Sequence, residues 1–418
     1  MDYPIVAHDA SSRQLPCGPR VWPVLAFGLA VFLILCGIGI PAEEYDGMHR
    51  RMVADSLWQG TRLGSTWFDF GSIFSLYLFY FPASLLKNTL RLTTPLSDVA
   101  IALHGAFFVA ATGALMLACA VRPPRGSAPP QAGAPGWLPL LALMLFCNPI
   151  LFSAERHLIE TPLAFYLLAI VSIQARDPGP HQRWPWRWAL VPLVAAAVLT
   201  RGASAVFVLP LLGHAILRRA YQEAGASGLG LALGALGSGA WNAHRYGDWF
   251  AYSYGRQGFD ANTLQGLFAF LLSPGLGMFT FYPLSILGVI ALYRRCRERD
   301  GHSCAVAGSL VAFASLFASW CVYNGGLSYG PRFLLPILPI LGVCGVSRLA
   351  WIRSGPARGA LLLGLVLWGA YVNLNAILMP PFFFHHQWAQ NAPIWSVPAE
   401  EKQINLDFAE RLQIFAPE

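Results

Sequence analysis

Charge is what this sequence has least of. Of its 418 residues, 12% are Asp, Glu, Lys or Arg, and 56% are hydrophobic. A soluble domain carries about 25% charged residues, so an ordinary soluble enzyme and a disordered chain are both excluded. Patterned cysteine is missing too. None of Cys17, Cys36, Cys119, Cys147, Cys296, Cys304, Cys321 and Cys344 forms a Cys-x-x-Cys pair, and most lie in or beside apolar runs. They read as small apolar residues, not as a disulfide frame or a zinc site. Neither a Gly-x-Gly-x-x-Gly nor a Walker sequence is present, and the glycines of 225–239 sit in an apolar setting. They read as a helix packed closely on its neighbours, not as a phosphate cradle. No basic run is interleaved with aromatics in a polar segment, so the net charge of +7 reads as loop arginines that set membrane topology. Nucleic acid is not an expected partner. No small-residue cleavage site follows the first apolar run, which reads as a retained span, and no internal repeat stands out.

What remains is a polytopic all-α membrane protein. Apolar runs cover about 21–41, 72–86, 98–121, 137–153, 161–175, 188–200, 203–217, 226–243, 276–293, 303–323, 333–350 and 359–379. Arginine clusters at 122/125, 176/183/187, 218/219, 294–299 and 348/353/358 belong on the cytoplasmic side. With the N-terminus inside, all five fall there only if 72–86 lies in the interface or re-enters. The expectation is therefore about eleven transmembrane helices. A long first outer loop, 42–97, carries interfacial helices, and the tail beyond the last helix lies outside. Residues 1–350 form the catalytic module, and 351–418 hold the last helix and the tail. Glu43, Glu44, Asp46, Asp55, Asp69, Glu155, Glu160, Asp248 and Asp260 then share the outer face.

Several segments there can carry chemistry. Pro41-Ala42-Glu43-Glu44-Tyr45-Asp46 places three carboxylates at the end of a span, where partial desolvation raises carboxyl pKa values toward those of a general base. Residues 48–58 have the spacing of an amphipathic helix, and Asp46 before it reads equally as an N-cap. Glu155, Arg156, His157 and Glu160 fill a short outer turn. Charges at such depth are paired or functional. Two or three of these carboxylates can hold Mg²⁺ or Mn²⁺, although no spacing requires a metal and no cofactor is assigned. Arg201 stands between two apolar runs and meets either an anion or an outer-face carboxylate. Glycines 325, 326 and 330 precede Pro331-Arg332-Phe333 and let backbone approach a ligand. Arg332 and Tyr329 there suit a phosphate or pyrophosphate at the membrane edge. Arg245, Tyr246, Tyr252, Tyr254 and Arg256 suit a sugar or acceptor, or serve as interfacial anchors.

Taken together, these segments resemble the GT-C superfamily of integral-membrane glycosyltransferases. The likeness is to bacterial members akin to protein O-mannosyltransferases and lipid A aminoarabinose transferases. It rests on the acidic first loop, the acid of the next outer turn, Thr200-Arg201-Gly202, and Asn242-x-x-Arg245-Tyr246-Gly247-Asp248. Ser273-Pro274-Gly275-x-Gly277 and Gly325-Gly326-x-Ser328-Tyr329-Gly330-Pro331-Arg332-Phe333-Leu334-Leu335-Pro336 complete it. The resemblance implies a GT-C-like helical bundle and a polyprenyl-phosphate-linked sugar donor. It implies transfer, usually inverting, to an acceptor hydroxyl on the periplasmic face of the inner membrane. Asp46, ten residues before Ser56-Leu57, matches the family's loop acid, although Gly47 replaces the Glu that commonly follows it. Glu43 and Glu44 stand earlier than the pattern expects and remain alternatives for the base. Glu160 matches the second acid, Arg332 and with it Arg201 the phosphate-facing arginines, and Glu155, Arg245 and Tyr246 fall among substrate contacts. The acceptor class, glycan, lipid or protein, stays open. A lipid-linked sugar flippase would favour inverted repeats or ionisable groups at the midplane, and a polysaccharide polymerase or ligase one large late loop. Neither feature is seen.

Overall fold

The computed structural model describes residues 45–60, 70–120, 148–149, 159–175, 185–250, 258–273, 277–321, 331–352 and 356–378, with positions 24, 26 and 28–33. Among these residues every regular element is a helix. The first apolar run packs on the second half of helix α3 (Leu96–Ala120): a Cβ at Gly28 would lie 3.2 Å from that of Ala114.

Two helices precede α3. Helix α1 (Tyr45–Trp58) matches the expected amphipathic stretch, but it starts one residue before Asp46. Asp46 therefore lies in the first turn and not ahead of the helix. Helix α2 (Phe70–Leu90) holds α1 through Tyr80, whose hydroxyl donates to Asp55 Oδ1 at 2.6 Å. The Trp58 ring also leans on those of Tyr77 and Tyr80. Helices α2 and α3 form an antiparallel hairpin, with Ser75 Oγ 3.1 Å from His104 Nε2 and Ala83 sharing a small core with Val99 and Ala100.

Helix α4 (Glu160–Gln174) is the centre of the molecule. Leu163, Ala164, Leu167, Leu168 and Ile170 are all buried, so it is apolar on every side, as an interior helix must be. A 3-10 turn, Pro185–Ala189, leads into α5 (Leu190–Thr200), α6 (Ser204–Leu217) and α7 (Tyr221–Tyr246). The glycines of α7 press on α5: Cβ atoms built at Gly230 and Gly234 would stand 2.7 and 2.6 Å from those of Val194 and Val198. Only hydrogen at those positions lets the two backbones approach this closely. Gly247 closes α7 in the left-handed region (φ 76°), the usual glycine C-cap.

The second half contains α8 (Thr263–Leu272), α9 (Ser285–Arg297) and α10 (Gly301–Ala318). It ends with a 3-10 segment (Arg332–Ile337) running into α11 (Leu338–Ile352), and with α12 (Pro356–Leu378). Helix α8 is not among the sequence-based runs. It is short, and Asn262 starts it by accepting from the N–H groups of Leu264 and Gln265. The run 276–293 is broken, with a helical turn at Met278–Phe281 before α9, because Pro283 cannot donate inside a continuous helix. Helix α12 is tied on by Trp368 Nε1 donating to the Thr280 carbonyl at 3.0 Å.

Large apolar side chains cover the outer faces: Leu78, Phe81, Leu85, Leu209, Val311, Leu361, Leu363 and Leu367 are exposed. Such a surface is foreign to a water-soluble monomer. Helices α3 and α10 are long and apolar enough to cross a membrane, whereas α4 and α6 are apolar but shorter. The bundle has two chemically distinct ends. At one, Glu223 pairs with Arg187 and Arg218, and Arg218 also donates to the last carbonyl of α4, that of Gln174. Gly301, at the α9–α10 turn, abuts His214 of α6 at this same end, so Arg294, Arg295, Arg297 and Arg299 gather here. The opposite end receives the start of α4 and the ends of α5, α7 and α10.

Candidate phosphate-facing site

At that opposite end three chains of backbone deliver one charged residue each. Glu160 opens α4, where the exposed N–H groups and the helix dipole favour a carboxylate. Pro162 sits in the same first turn, where its missing N–H costs nothing. Arg201 ends α5: its backbone turns extended (φ −157°, ψ 112°). The turn is locked because its carbonyl accepts from the Ser204 hydroxyl at 2.7 Å and from the Ser204 N–H at 2.9 Å. Arg332 is the first residue of the 3-10 segment, set there by Pro331 before it. Gly71 of α2 lies against the backbone of Leu199 and Thr200, so the α1–α2 unit is seated directly beside Arg201.

The three side chains converge on one oxygen. Arg201 Nη1 donates to Glu160 Oε1 at 2.9 Å, and Arg332 Nε donates to the same atom at 3.1 Å. Glu160 is 0%, Arg201 5% and Arg332 9% exposed. Glu160 thus anchors two guanidiniums in a place where an unmatched charge is costly. Among the described residues Arg201 meets no second carboxylate. Its Cζ lies instead 4.5 Å from the centroid of the Phe317 ring and 4.9 Å from that of Phe333, with Trp320 at 6.0 Å. Among the described residues Nη1 is the Arg201 guanidinium nitrogen that reaches a protein acceptor; Nε and Nη2 reach none. A buried guanidinium with donors to spare can receive an anion, and the geometry of its fork matches phosphate.

The other expected residues fall in different places. Asp46 lies in the first turn of α1. Val53 and Leu57 pack with Ile73 of α2 and Trp241 of α7. Arg245 stacks over that Trp241 ring at 5.4 Å, and Tyr246 follows as the last residue of α7. Arg245 and Tyr246 thus belong to the α1 side of this end rather than to the Glu160 triad. Glu43, Glu44, Glu155 and Tyr329 lie outside the described residues, as do Tyr252, Tyr254 and Arg256. The aromatic box of Phe317, Trp320 and Phe333 was not anticipated. Among 27 phenylalanines nothing local distinguishes these rings, and only the adjacency of Phe333 to Arg332 offered a hint.

No family model matches this chain, and no curated protein does. Among solved structures, it is similar to ArnT from Cupriavidus metallidurans bound to undecaprenyl phosphate. The match has a TM-score of 0.54 and 14% identity over 94% of this chain and 75% of that one. The chain therefore shares the overall fold of that structure.

Proposed function

We propose that this protein is a multi-pass glycosyltransferase of the inner (plasma) membrane. It moves a sugar from a polyprenyl-phosphate-linked donor to an acceptor hydroxyl on the extracytoplasmic face. The observation that carries the reading is the buried Arg201, fixed by Glu160 beside Arg332 with guanidinium donors left over. A neighbour in the same fold bound to undecaprenyl phosphate supports a lipid-phosphate ligand. The arginine-rich turns at the other end support the orientation, since Lys and Arg mark the cytoplasmic side. On this reading about eleven helices cross, and α2, which starts beside Arg201 and turns straight back into α3, stays on the outer side.

In the proposed reaction the donor enters sideways from lipid, and its phosphate sits on Arg201 and Arg332, with Tyr329 of the preceding glycine-rich sequence as a further candidate contact. The acceptor oxygen attacks the anomeric carbon from the face opposite the phosphate, and its proton passes to a carboxylate. The carbon–oxygen bond to phosphate breaks, leaving polyprenyl phosphate, whose growing charge the two guanidiniums stabilise. The configuration inverts. Glu160, holding two arginines, is occupied as their anchor. The base is then a carboxylate of the first loop, Asp46 or its sequence neighbours Glu43 and Glu44, since such a role needs a group that can accept the acceptor's proton. Glu155, Arg245 and Tyr246 contact sugar or acceptor, a glycan, lipid or protein hydroxyl. A divalent cation, Mg²⁺ or Mn²⁺, suits the loop carboxylates but is not demanded by the chemistry.

Proteoliposomes supplied with polyprenyl-phosphate sugars and candidate acceptors test this. Arg201→Ala, Arg332→Ala and Asp46→Asn should each lower transfer by at least about a hundredfold while the protein still inserts and elutes normally. Unchanged turnover in both arginine variants would remove the phosphate assignment.

A further inference from the structure

The function of the aromatic box can be read from what it does not do to Arg201. Phe317 ends α10 and Phe333 follows Arg332, and their rings stack at 5.1 Å with only 8° between planes. Both are almost wholly buried. Trp320 closes the box at 5.1 Å from Phe333. Phe313 backs Phe317 at 4.8 Å and is itself met edge-on by Phe207, so the rings cannot swing aside. The Arg201 guanidinium carbon lies within 5 Å of both stacked centroids. Arg332 also reaches the Phe333 ring, at 6.0 Å.

A buried arginine can be fixed in two ways. A second carboxylate would fix it and cancel its charge. An aromatic face fixes it through the ring quadrupole and cancels nothing, because the ring carries no net charge and consumes no N–H donor. We infer that Phe317 and Phe333 are positioning residues for phosphate binding: their faces hold the Arg201 guanidinium in place while leaving its charge and its Nε and Nη2 donors for the ligand. The inference rests on the phosphate-binding role proposed above and says how that role is kept alive in an apolar interior. Glu160 orients, and the rings supply the remaining restraint.

Size and electronics must be separated, because these rings are also core. Phenylalanine analogues bearing one, two, three and five fluorines at position 317 keep the shape while draining the ring face. Binding of undecaprenyl phosphate to the purified, nanodisc-embedded protein is the readout, with Arg201→Ala alongside. Affinity should fall stepwise with fluorine number, by about tenfold at five fluorines. Arg201→Ala should not bind measurably. If affinity is indifferent to fluorine while Arg201→Ala abolishes binding, the rings are packing alone and the inference is overturned. If the unmodified protein fails to bind undecaprenyl phosphate at all, the phosphate role itself falls, and the inference falls with it.

Discussion

Glu160 is the residue on which most turns, because its single Oε1 atom serves two guanidiniums. Removing the carboxylate and removing one arginine are therefore unequal acts. Glu160→Gln takes the counter-charge from the buried Arg201, and breaking a buried pair in this way costs about 3 kcal/mol. Arg332→Met leaves the Arg201–Glu160 pair intact in a box already lined with rings, so it should cost clearly less, although more atoms change. Thermal unfolding of the detergent-solubilised variants checks this ranking. A larger stability loss in Arg332→Met than in Glu160→Gln would contradict Glu160 as the anchor of Arg201. Replacing Arg201 with Lys should not rescue binding, because an ammonium has neither the planar face for Phe317 nor the fork for phosphate.

Helices α5 and α7 show how an element positions a residue it does not contain. The glycine face of α7 sets how close α5 can come, and α5 ends at Arg201. Gly234 has no room for a methyl group against Val198, whereas a Cβ at Gly228 would meet nothing within 4 Å. Gly228→Ala should therefore gain about 0.8 kcal/mol from helix propensity alone. Gly234→Ala should lose about 1–3 kcal/mol from overpacking and weaken polyprenyl-phosphate binding as α5 shifts. Unfolding curves of the two single variants separate these opposite signs. At the other end, α10 is started by Asp300, which accepts from the His302 N–H at 3.2 Å and from the Ser303 hydroxyl at 2.6 Å. Burial pushes the Asp300 carboxyl up, but those hydrogen bonds and the neighbouring His302 outweigh it and hold its pKa below the ordinary value. A depressed carboxyl stabilises the fold at pH values above its unfolded pKa, and that contribution fades as the pH falls through the folded one. The stability advantage of the native protein over Asp300→Asn should thus persist at neutral pH and narrow as the pH falls below the ordinary carboxylate range. A constant difference across that range would deny Asp300 this role.

For the whole molecule, the information legible in the sequence was of two kinds, local and additive. The amphipathic α1, the close-packing α7 and most interior helices follow from periodicity and composition within single segments. The arginine clusters add up to a polarity of the bundle, and the ends of the helices agree with it: the Arg187–Glu223–Arg218 cluster and the α9–α10 turn share one end. Glu160, Arg201 and Arg332 were each conspicuous as charges in apolar surroundings. Their meeting was not legible, because it joins positions 41 and 172 residues apart through the packing of α4, α5 and the 3-10 segment. Helix α8 escaped because ten residues leave little periodic signal. The same polarity predicts where water-soluble reagents reach. Asp248, just past the end of α7, lies at the triad's end and is exposed, as Arg299 is at the other. In a background cleared of native cysteines, Asp248→Cys should react with an impermeant maleimide added to intact cells or right-side-out vesicles. Arg299→Cys should react only when the vesicles are inverted. Labelling of both from one side would place the arginine turns and the phosphate-facing end in the same compartment. That outcome would leave the donor's phosphate without the extracytoplasmic pocket that Arg201 and Arg332 are proposed to form.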